Sequence, residues 1–235
     1  SMGLNPVDAN DALLDLDGDG LNNLDEFLLC QSLGDSRCDT LNSDNVPPEI
    51  TLSEAVVTVD AIGYFTPVSL TASAEDRIDG EVEVNLNNLG PYRPGAHQLV
   101  WQARDSAGNI ATESQTLRVK PLVTLARSQV VGEDQSVTVR VGLNGPAPSY
   151  PVSIQYQVSG TASATDSTLE AGAIIIESGT EGLLSFHTLA DAEVENDETL
   201  ILTLASVEGD AVLPGLASKR QQVVTIVDRN IAPEV

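Results

Sequence analysis

The chain holds 235 residues, enough for two or three domains with cores of their own. Thirty-five acidic side chains stand against eleven basic ones, a formal net charge of -24. Such a surface repels nucleic acid and anionic membranes and favours divalent cations, so no nucleic-acid partner is expected. No stretch approaches the roughly 18 apolar residues of a membrane span, so no membrane insertion is expected from this fragment either. The charge is uneven: residues 1–46 carry ten acids and one base, residues 47–121 ten and five, residues 122–235 fifteen and five. The first segment is the most charge-dense and gains most from a bound cation.

That segment is also the only helical candidate. Asn10 is placed to cap a short turn carrying Asp11, Leu13 and Leu14. Residues 15–26 then have the ligand spacing of a twelve-residue calcium loop. Asp15, Asp17 and Asp19 fall at positions 1, 3 and 5, Gly20 at the sharp turn, and Glu26 at position 12. Leu21 offers its backbone carbonyl, Asn23 an oxygen directly or through water, and Glu26 both carboxylate oxygens. Beyond the loop, Leu24, Phe27 and Leu28 recur at helical spacing and predict one apolar face. A segment this short buries little and needs metal, disulfide or a neighbour to hold it.

Cys30 and Cys38 are the only cysteines. A bridge between them closes a short loop, with about 2–3 kcal/mol of stabilisation on the chain-entropy model. Free thiols or half a zinc site are the alternatives, and zinc is disfavoured because His97 and His187 lie far off in sequence. The pair is expected as a disulfide, which implies export to the cell surface or the extracellular space.

From Pro47 the apolar period changes to two. Val82, Val84 and Leu86 alternate with polar residues, as do Leu99, Trp101 and Ala103. The same pattern covers Val137, Val139 and Val141, then Val152 to Val158, then Leu200, Leu202 and Leu204. Turn signals at Asp79-Gly80, Gly108-Asn109, Asn144-Gly145, Ser159-Gly160 and Gly209-Asp210 separate these runs. The expected fold is mainly β: two immunoglobulin-like antiparallel sandwiches in tandem, preceded by a small helical calcium-binding segment. The predicted divisions are 1–46, 47–121, 122–230 and a terminal 231–235. Asn45-Val46-Pro47-Pro48-Glu49-Ile50 and Asn230-Ile231-Ala232-Pro233-Glu234-Val235 are near copies, so residues 231–235 are expected to begin a linker to a further domain.

Three family resemblances follow from these residues. Asp15–Glu26 with Phe27 resembles the acidic calcium repeats of secreted bacterial proteins, thrombospondin type 3-like or EF-hand-like, as a lone loop. Residues 47–121 resemble a hyalin-repeat (HYR) or related bacterial immunoglobulin-like domain. The carriers are Pro47-Pro48-Glu49-Ile50, Ala74-Glu75-Asp76, Tyr92-Arg93-Pro94-Gly95, Val100-Trp101 and Ala103-Arg104-Asp105-Ser106-Ala107-Gly108-Asn109. That resemblance implies adhesion or spacing, with Trp101 in the core and Asp105 and Asn109 stabilising a turn. Residues 122–230 look like a Calx-beta domain, through Val131-Gly132-Glu133, Ser159-Gly160-Thr161-Ala162 with Asp166, Asp191, Glu195-Asn196-Asp197-Glu198, and Val224-Thr225-Ile226-Val227-Asp228. The resemblance implies a calcium site from Glu133, Asp166, Asp191, Glu195 and Asp228. Ala190 and Ala192 beside Asp191, and Arg229 after Asp228, depart from the binding members and weaken affinity.

No Gly-x-Ser-x-Gly turn, phosphate-cradling loop or cysteine–histidine pairing is present, so no enzyme is expected. The expected function is a non-catalytic, calcium-stabilised section of an exported modular protein, serving adhesion or spacing. Its partners would be an unknown protein or glycan and the neighbouring domains of the same chain. The alternative is an accessory binding module of a secreted polysaccharide-degrading enzyme, with Tyr64 or Tyr92 as an exposed stacking platform. A calcium sensor is disfavoured, because a lone loop lacks the paired helices that switch. The loop's expected affinity is that of extracellular modules, on the order of 10⁻⁴–10⁻³ M.

Overall fold

The computed structural model describes residues 10–16, 22–25, 27–28, 44, 46–191 and 195–227. Among these the regular secondary structure is nearly all strand. In order come β1 (Glu49–Leu52), β2 (Val56–Asp60), β3 (Ala72–Asp76), β4 (Gly80–Val82), β5 (Val84–Leu86), β6 (Gly95–Arg104) and β7 (Ile110–Lys120). They are followed by β8 (Val123–Leu125), β9 (Gln129–Gly132), β10 (Ser136–Leu143), β11 (Val152–Gly160), β12 (Gly172–Ile176), β13 (Glu181–His187), β14 (Glu198–Glu208) and β15 (Gln221–Val227). Short 3₁₀ turns cover Asp11–Leu13 and Ala217–Lys219. The chain forms two compact units, one of residues 1–55, 69–89 and 98–115, the other of 56–68, 90–97 and 116–235.

In the first unit Asn10 stands at the N-cap of the 3₁₀ turn, but its side chain makes no capping bond. The capping chemistry belongs to Asn22, whose Oδ1 accepts from the amides of Leu24 at 3.1 Å and Asp25 at 2.9 Å. Residues 23–25 and 27–28 are helical, yet Leu24 and Leu28 are exposed, as are Leu13 and Leu14. The predicted apolar face is therefore uncovered at these positions, as expected where too few residues share a core.

The strand-rich part of this unit holds an antiparallel sheet in the order β1-β3-β4, with Ile50 opposite Ala74 and Ala74 opposite Val82. The alternation through Val82, Val84 and Leu86 predicts one strand. It is broken at Glu83 instead, and β5 pairs antiparallel to β6 in the other sheet. Period two survives such a crossing because the inward side chains still face the same core. Leu99, Trp101 and Ala103 are buried on β6. Trp101 Nε1 donates to the fully buried Gln115 Oε1 at 3.0 Å, and Gln115 Nε2 donates to the Glu54 carbonyl at 2.7 Å. The indole thus fills a core and its single donor is satisfied, as a buried tryptophan requires.

In the second unit β2 lies parallel to the last residues of β7, Val56 opposite Thr116 and Asp60 opposite Lys120. Tyr92 is buried here, held by reciprocal backbone bonds with Thr66, so it is a core residue and not the exposed platform expected of it. The unit's main body has one sheet ordered β13-β10-β8 and another ordered β12-β11-β14-β15-β9. Val137, Val139, Val141, Val152, Ile154, Leu200, Leu202 and Leu204 face one continuous core. Burying each such side chain contributes about 1.5–3 kcal/mol.

The fold is mainly β with sandwich-like sheets, as expected, and the pairing is antiparallel except at two edges. After Leu125 the chain leaves the sheet of β8 and enters the other as β9, which runs parallel to β15, with Val224 opposite Gln129. A strand that changes sheets without reversing meets its new neighbour in the same sense. The two parallel pairs, β2 with β7 and β9 with β15, arise at such edges.

Gly160, predicted as a turn residue, ends β11 at φ +128, and a Cβ there would lie 2.0 Å from the Thr199 carbonyl oxygen on β14. Gly179 also has positive φ, +73, but faces open space. Gly160→Ala is expected to cost more than about 2 kcal/mol and Gly179→Ala about 1 kcal/mol, because only the first forces paired backbones apart. Urea unfolding of the two variants measures the difference; equal costs would contradict this packing.

Candidate metal centre

Three connections of the second unit bring acidic residues to one end of its sandwich. The first is the turn between β9 and β10, carrying Glu133 and then Asp134 at φ +51, a left-handed conformation that aspartate tolerates. The second is the loop between β11 and β12, carrying Asp166. The third runs from β13 into β14 and carries Asp191, Glu195 and Glu198.

Hydrogen bonds fix these connections to one another. Thr188, buried just after β13, donates its hydroxyl to the Gly132 carbonyl at 2.9 Å and accepts from the Gln135 amide at 3.0 Å. That couples the Glu133 turn to the end of β13. The Leu189 amide donates to the Asp166 carbonyl at 2.8 Å, and Ser167 bridges Thr188, so the Asp166 loop is tied to the same place.

The charged groups then converge. One carboxylate oxygen each of Asp166, Asp191 and Glu195 lies within 4.8 Å of the others. Glu133, Asp166, Glu195, Asn196 and Glu198 line a small cavity closed on its apolar side by Leu189 and Ile226. Asp166 and Glu133 are buried, while Asp191 and Glu195 face solvent. The Ser163 amide donates to Asp166 Oδ2 at 2.5 Å and the Thr165 hydroxyl to Oδ1 at 3.1 Å. The Ser163 amide holds the Asp166 carboxyl below its ordinary range despite burial, assisted by the Ser163 and Thr165 hydroxyls and by Glu198. Glu198 moves the opposite way. Burial pushes its carboxyl up, and the charges of Asp166, Glu195 and Asp191 add to the effect. A charge-dense, oxygen-only cluster of this kind suits a hard cation.

Of the residues predicted for this site, Asp166, Asp191 and Glu195 are brought together, and Glu133 lines the same cavity. Asp228 lies outside the described residues. Glu198 and Thr188 were not singled out as site residues. The acidic run Glu195-Asn196-Asp197-Glu198 carried a signal for the first, whereas a lone threonine carries none.

For the amino-terminal loop, Asp17, Asp19, Leu21 and Glu26, with Cys30 and Cys38, lie outside the described residues. Asp15 is exposed. Asn23 is fully buried, and its Nδ2 donates to the Asp11 carbonyl at 2.6 Å. Its Oδ1 has no donor among the described residues.

No family model matches the chain, and no curated protein matches it at a significant level. Solved structures similar to it include the apo form of the Calx CBD1 domain, at 23% identity and a TM-score of 0.40 over 46% of this chain and 97% of that one. Another is CBD12 from CALX1.2, at 19% identity and a TM-score of 0.41 over 46% of each chain. A protocadherin structure, PcdhgB3 EC1-4, matches at 13% identity with a TM-score of 0.30, over 78% of this chain and 50% of that one. This chain thus spans half or less of the two longer structures.

Glu198 gives a pH prediction. A carboxyl whose folded pKa is raised stabilises the fold fully below its unfolded value of 4.5, and that stability is lost as pH rises through the folded value. In chelator at neutral pH, Glu198→Gln should therefore unfold at a higher temperature than the parent. The advantage should vanish below pH 4.5, where the glutamate is protonated in both states. Thermal unfolding at the two pH values checks this, and a variant less stable at neutral pH would contradict it.

Proposed function

We propose that this chain is a calcium-stabilised, non-catalytic section of an exported modular protein that serves cell-surface adhesion or spacing. The observation that carries the reading is the convergence of Asp166, Asp191 and Glu195, with Glu133 and Glu198, on one end of a rigid sandwich. In this reading the ion is calcium, held by Glu133, Asp166, Asp191, Glu195 and Asp228 in a Calx-beta-like sandwich. A second calcium sits in the Asp15–Glu26 loop, beside a Cys30–Cys38 disulfide. Residues 47–121, which lie between the two in sequence, form a hyalin-repeat-like sandwich, and the ions keep loops and joins stiff.

The surroundings of the histidines support a non-catalytic role. His187 Nδ1 meets Ser136 Oγ at 3.2 Å across neighbouring strands, but both residues are exposed, and open water removes the preorganised, dry setting on which nucleophilic catalysis relies. His97 Nε2 is engaged by the Arg93 carbonyl at 2.7 Å. Among the described residues no helix is long and apolar enough to cross a membrane.

One observation favours the alternative of a carbohydrate-binding accessory module. Tyr64 and Phe65 are exposed and packed edge to face at 5.4 Å, with the Arg93 guanidinium 4.9 Å from the tyrosine ring. Stacking against sugars needs a free aromatic face, and Arg93 covers one. A glycan array read with the parent and Tyr64→Ala separates the readings: binding lost in the variant supports the module, and no binding to any glycan counts against it.

Calcium binding in the range of extracellular modules, at a hundredfold excess over Kd, stabilises the folded form by about 2.7 kcal/mol. Calcium should therefore raise the melting temperature of the second sandwich by several degrees, and Asp191→Asn should remove most of that rise. Glu26→Ala should instead remove most of the effect of calcium on residues 1–46. Scanning calorimetry with and without chelator checks both, and identical traces would refute the proposal.

A further inference from the structure

A second gathering of carboxylates lies in the first unit and shares no residue with either predicted calcium site. One carboxylate oxygen each of Asp44, Asp76 and Asp105 lies within 4.8 Å of the others. Asp44 stands just before the Val46-Pro47-Pro48 join, Asp76 ends β3, and Asp105 begins the connection between β6 and β7.

The hydrogen bonds account for part of each side chain and leave a defined remainder. Asp76 is 3% exposed, and its Oδ1 accepts from the amides of Ile78 at 2.7 Å and Asp79 at 3.0 Å. Asp44 Oδ1 accepts from the Val46 amide at 3.0 Å. Asp105 accepts from Asn109 at both oxygens, the backbone amide at 2.7 Å and the side-chain amide at 2.8 Å. Asn109 Nδ2 also reaches the Asp44 carbonyl at 3.2 Å, so all three carboxylates are held in one place by neutral donors. Among the described residues, however, neither Asp44 Oδ2 nor Asp76 Oδ2 has a hydrogen-bond donor, although both atoms are buried.

A buried carboxylate oxygen without a donor carries a desolvation cost that a hydrogen bond or a cation must offset. Here two such oxygens occur in one cluster. Asp79, the neighbouring acid, is otherwise occupied: its oxygens accept from the Ser106 amide at 2.5 Å and the Ser106 hydroxyl at 2.8 Å. Burial pushes the Asp44 carboxyl up against a backbone bond that lowers it, and Asp76, Asp105 and Asp79 push it further in the same direction.

We propose that Asp44, Asp76 and Asp105 form a third divalent-cation site, of the hard, oxygen-preferring kind that calcium fits. Its ligands are the two donorless oxygens and Asp105, with carbonyls or water completing the shell. The ion clamps the residue before the proline join to the end of β3 and to the β6–β7 connection. The site is independent of the one at Asp166, and it gives the charge-dense amino-terminal segment a fixed attachment to the first unit's strands.

The test uses the whole chain, with calcium alone as the probe. Asp76→Asn keeps an oxygen for the Ile78 and Asp79 amides and replaces the donorless oxygen by an uncharged amide. Asp44→Asn does the same at a less buried position, so at least one variant is expected to fold. Equilibrium dialysis at saturating calcium should find one ion fewer per chain in each folded variant. In chelator each should melt at the parent's temperature or above it, because a buried repulsive charge is gone, while the calcium-induced rise in melting temperature shrinks. An unchanged ion count overturns the proposal, as does an equal loss of stability in chelator and in calcium, which a purely structural aspartate would give. Asp166→Asn, run in parallel, reports the other sandwich separately, so failure of one site is distinguishable from failure of the other.

Discussion

A carboxylate drawn out of water must recover its lost hydration from protein donors or from a cation, and this chain brings that demand to the ends of its strands. Asp166 recovers it from the Ser163 amide and the Thr165 hydroxyl, and Asp105 from Asn109. Asp76 recovers it at one oxygen only. Glu198 is pushed toward protonation by burial and by the charges beside it. Backbone and hydroxyl donors thus hold the acids in position without neutralising them. Such clusters could hold a divalent ion, and the proposed function rests on that.

The strands supply the rigidity that keeps such groups together. The valines of β10 and the leucines of β14 are fixed in a close-packed core, and the loops at its end are cross-tied by Thr188 and Leu189. The turn carrying Glu133 and the loop carrying Asp166 are both tied to the end of β13 by these bonds. Without that frame, mutual repulsion would open the loops at little cost. With it the carboxylates stay near one another, where a bound cation would relieve their repulsion.

Much of this was legible in the sequence because period-two alternation reports burial directly. Leu99, Trp101, Val139, Ile154 and Leu202 were read as inward and are buried. The break at Glu83 and the parallel edges were not legible, since alternation is unchanged when a strand passes from one sheet to its partner. Tyr92 resembled a surface aromatic because it lies among turn residues, yet its backbone pairs with Thr66 and draws the ring inward. Asp166, Asp191 and Glu195 were named from a family pattern, while Glu198 had only the company of other acids. Asp44, Asp76 and Asp105 carried no metal signal, because tertiary pairing of three distant segments is what joins them. The Asp15–Glu26 loop is the reverse case: its ligand spacing is plain in sequence, and most of its ligands lie outside the described residues.

The central claim is that these carboxylates are gathered for divalent ions and not merely solvated. A high-resolution crystal structure of the chain grown in millimolar calcium, with an anomalous difference map, tests it most directly. The account predicts anomalous density among Asp166, Asp191 and Glu195 and again among Asp44, Asp76 and Asp105. Ordered water alone between the carboxylates at both places would contradict it.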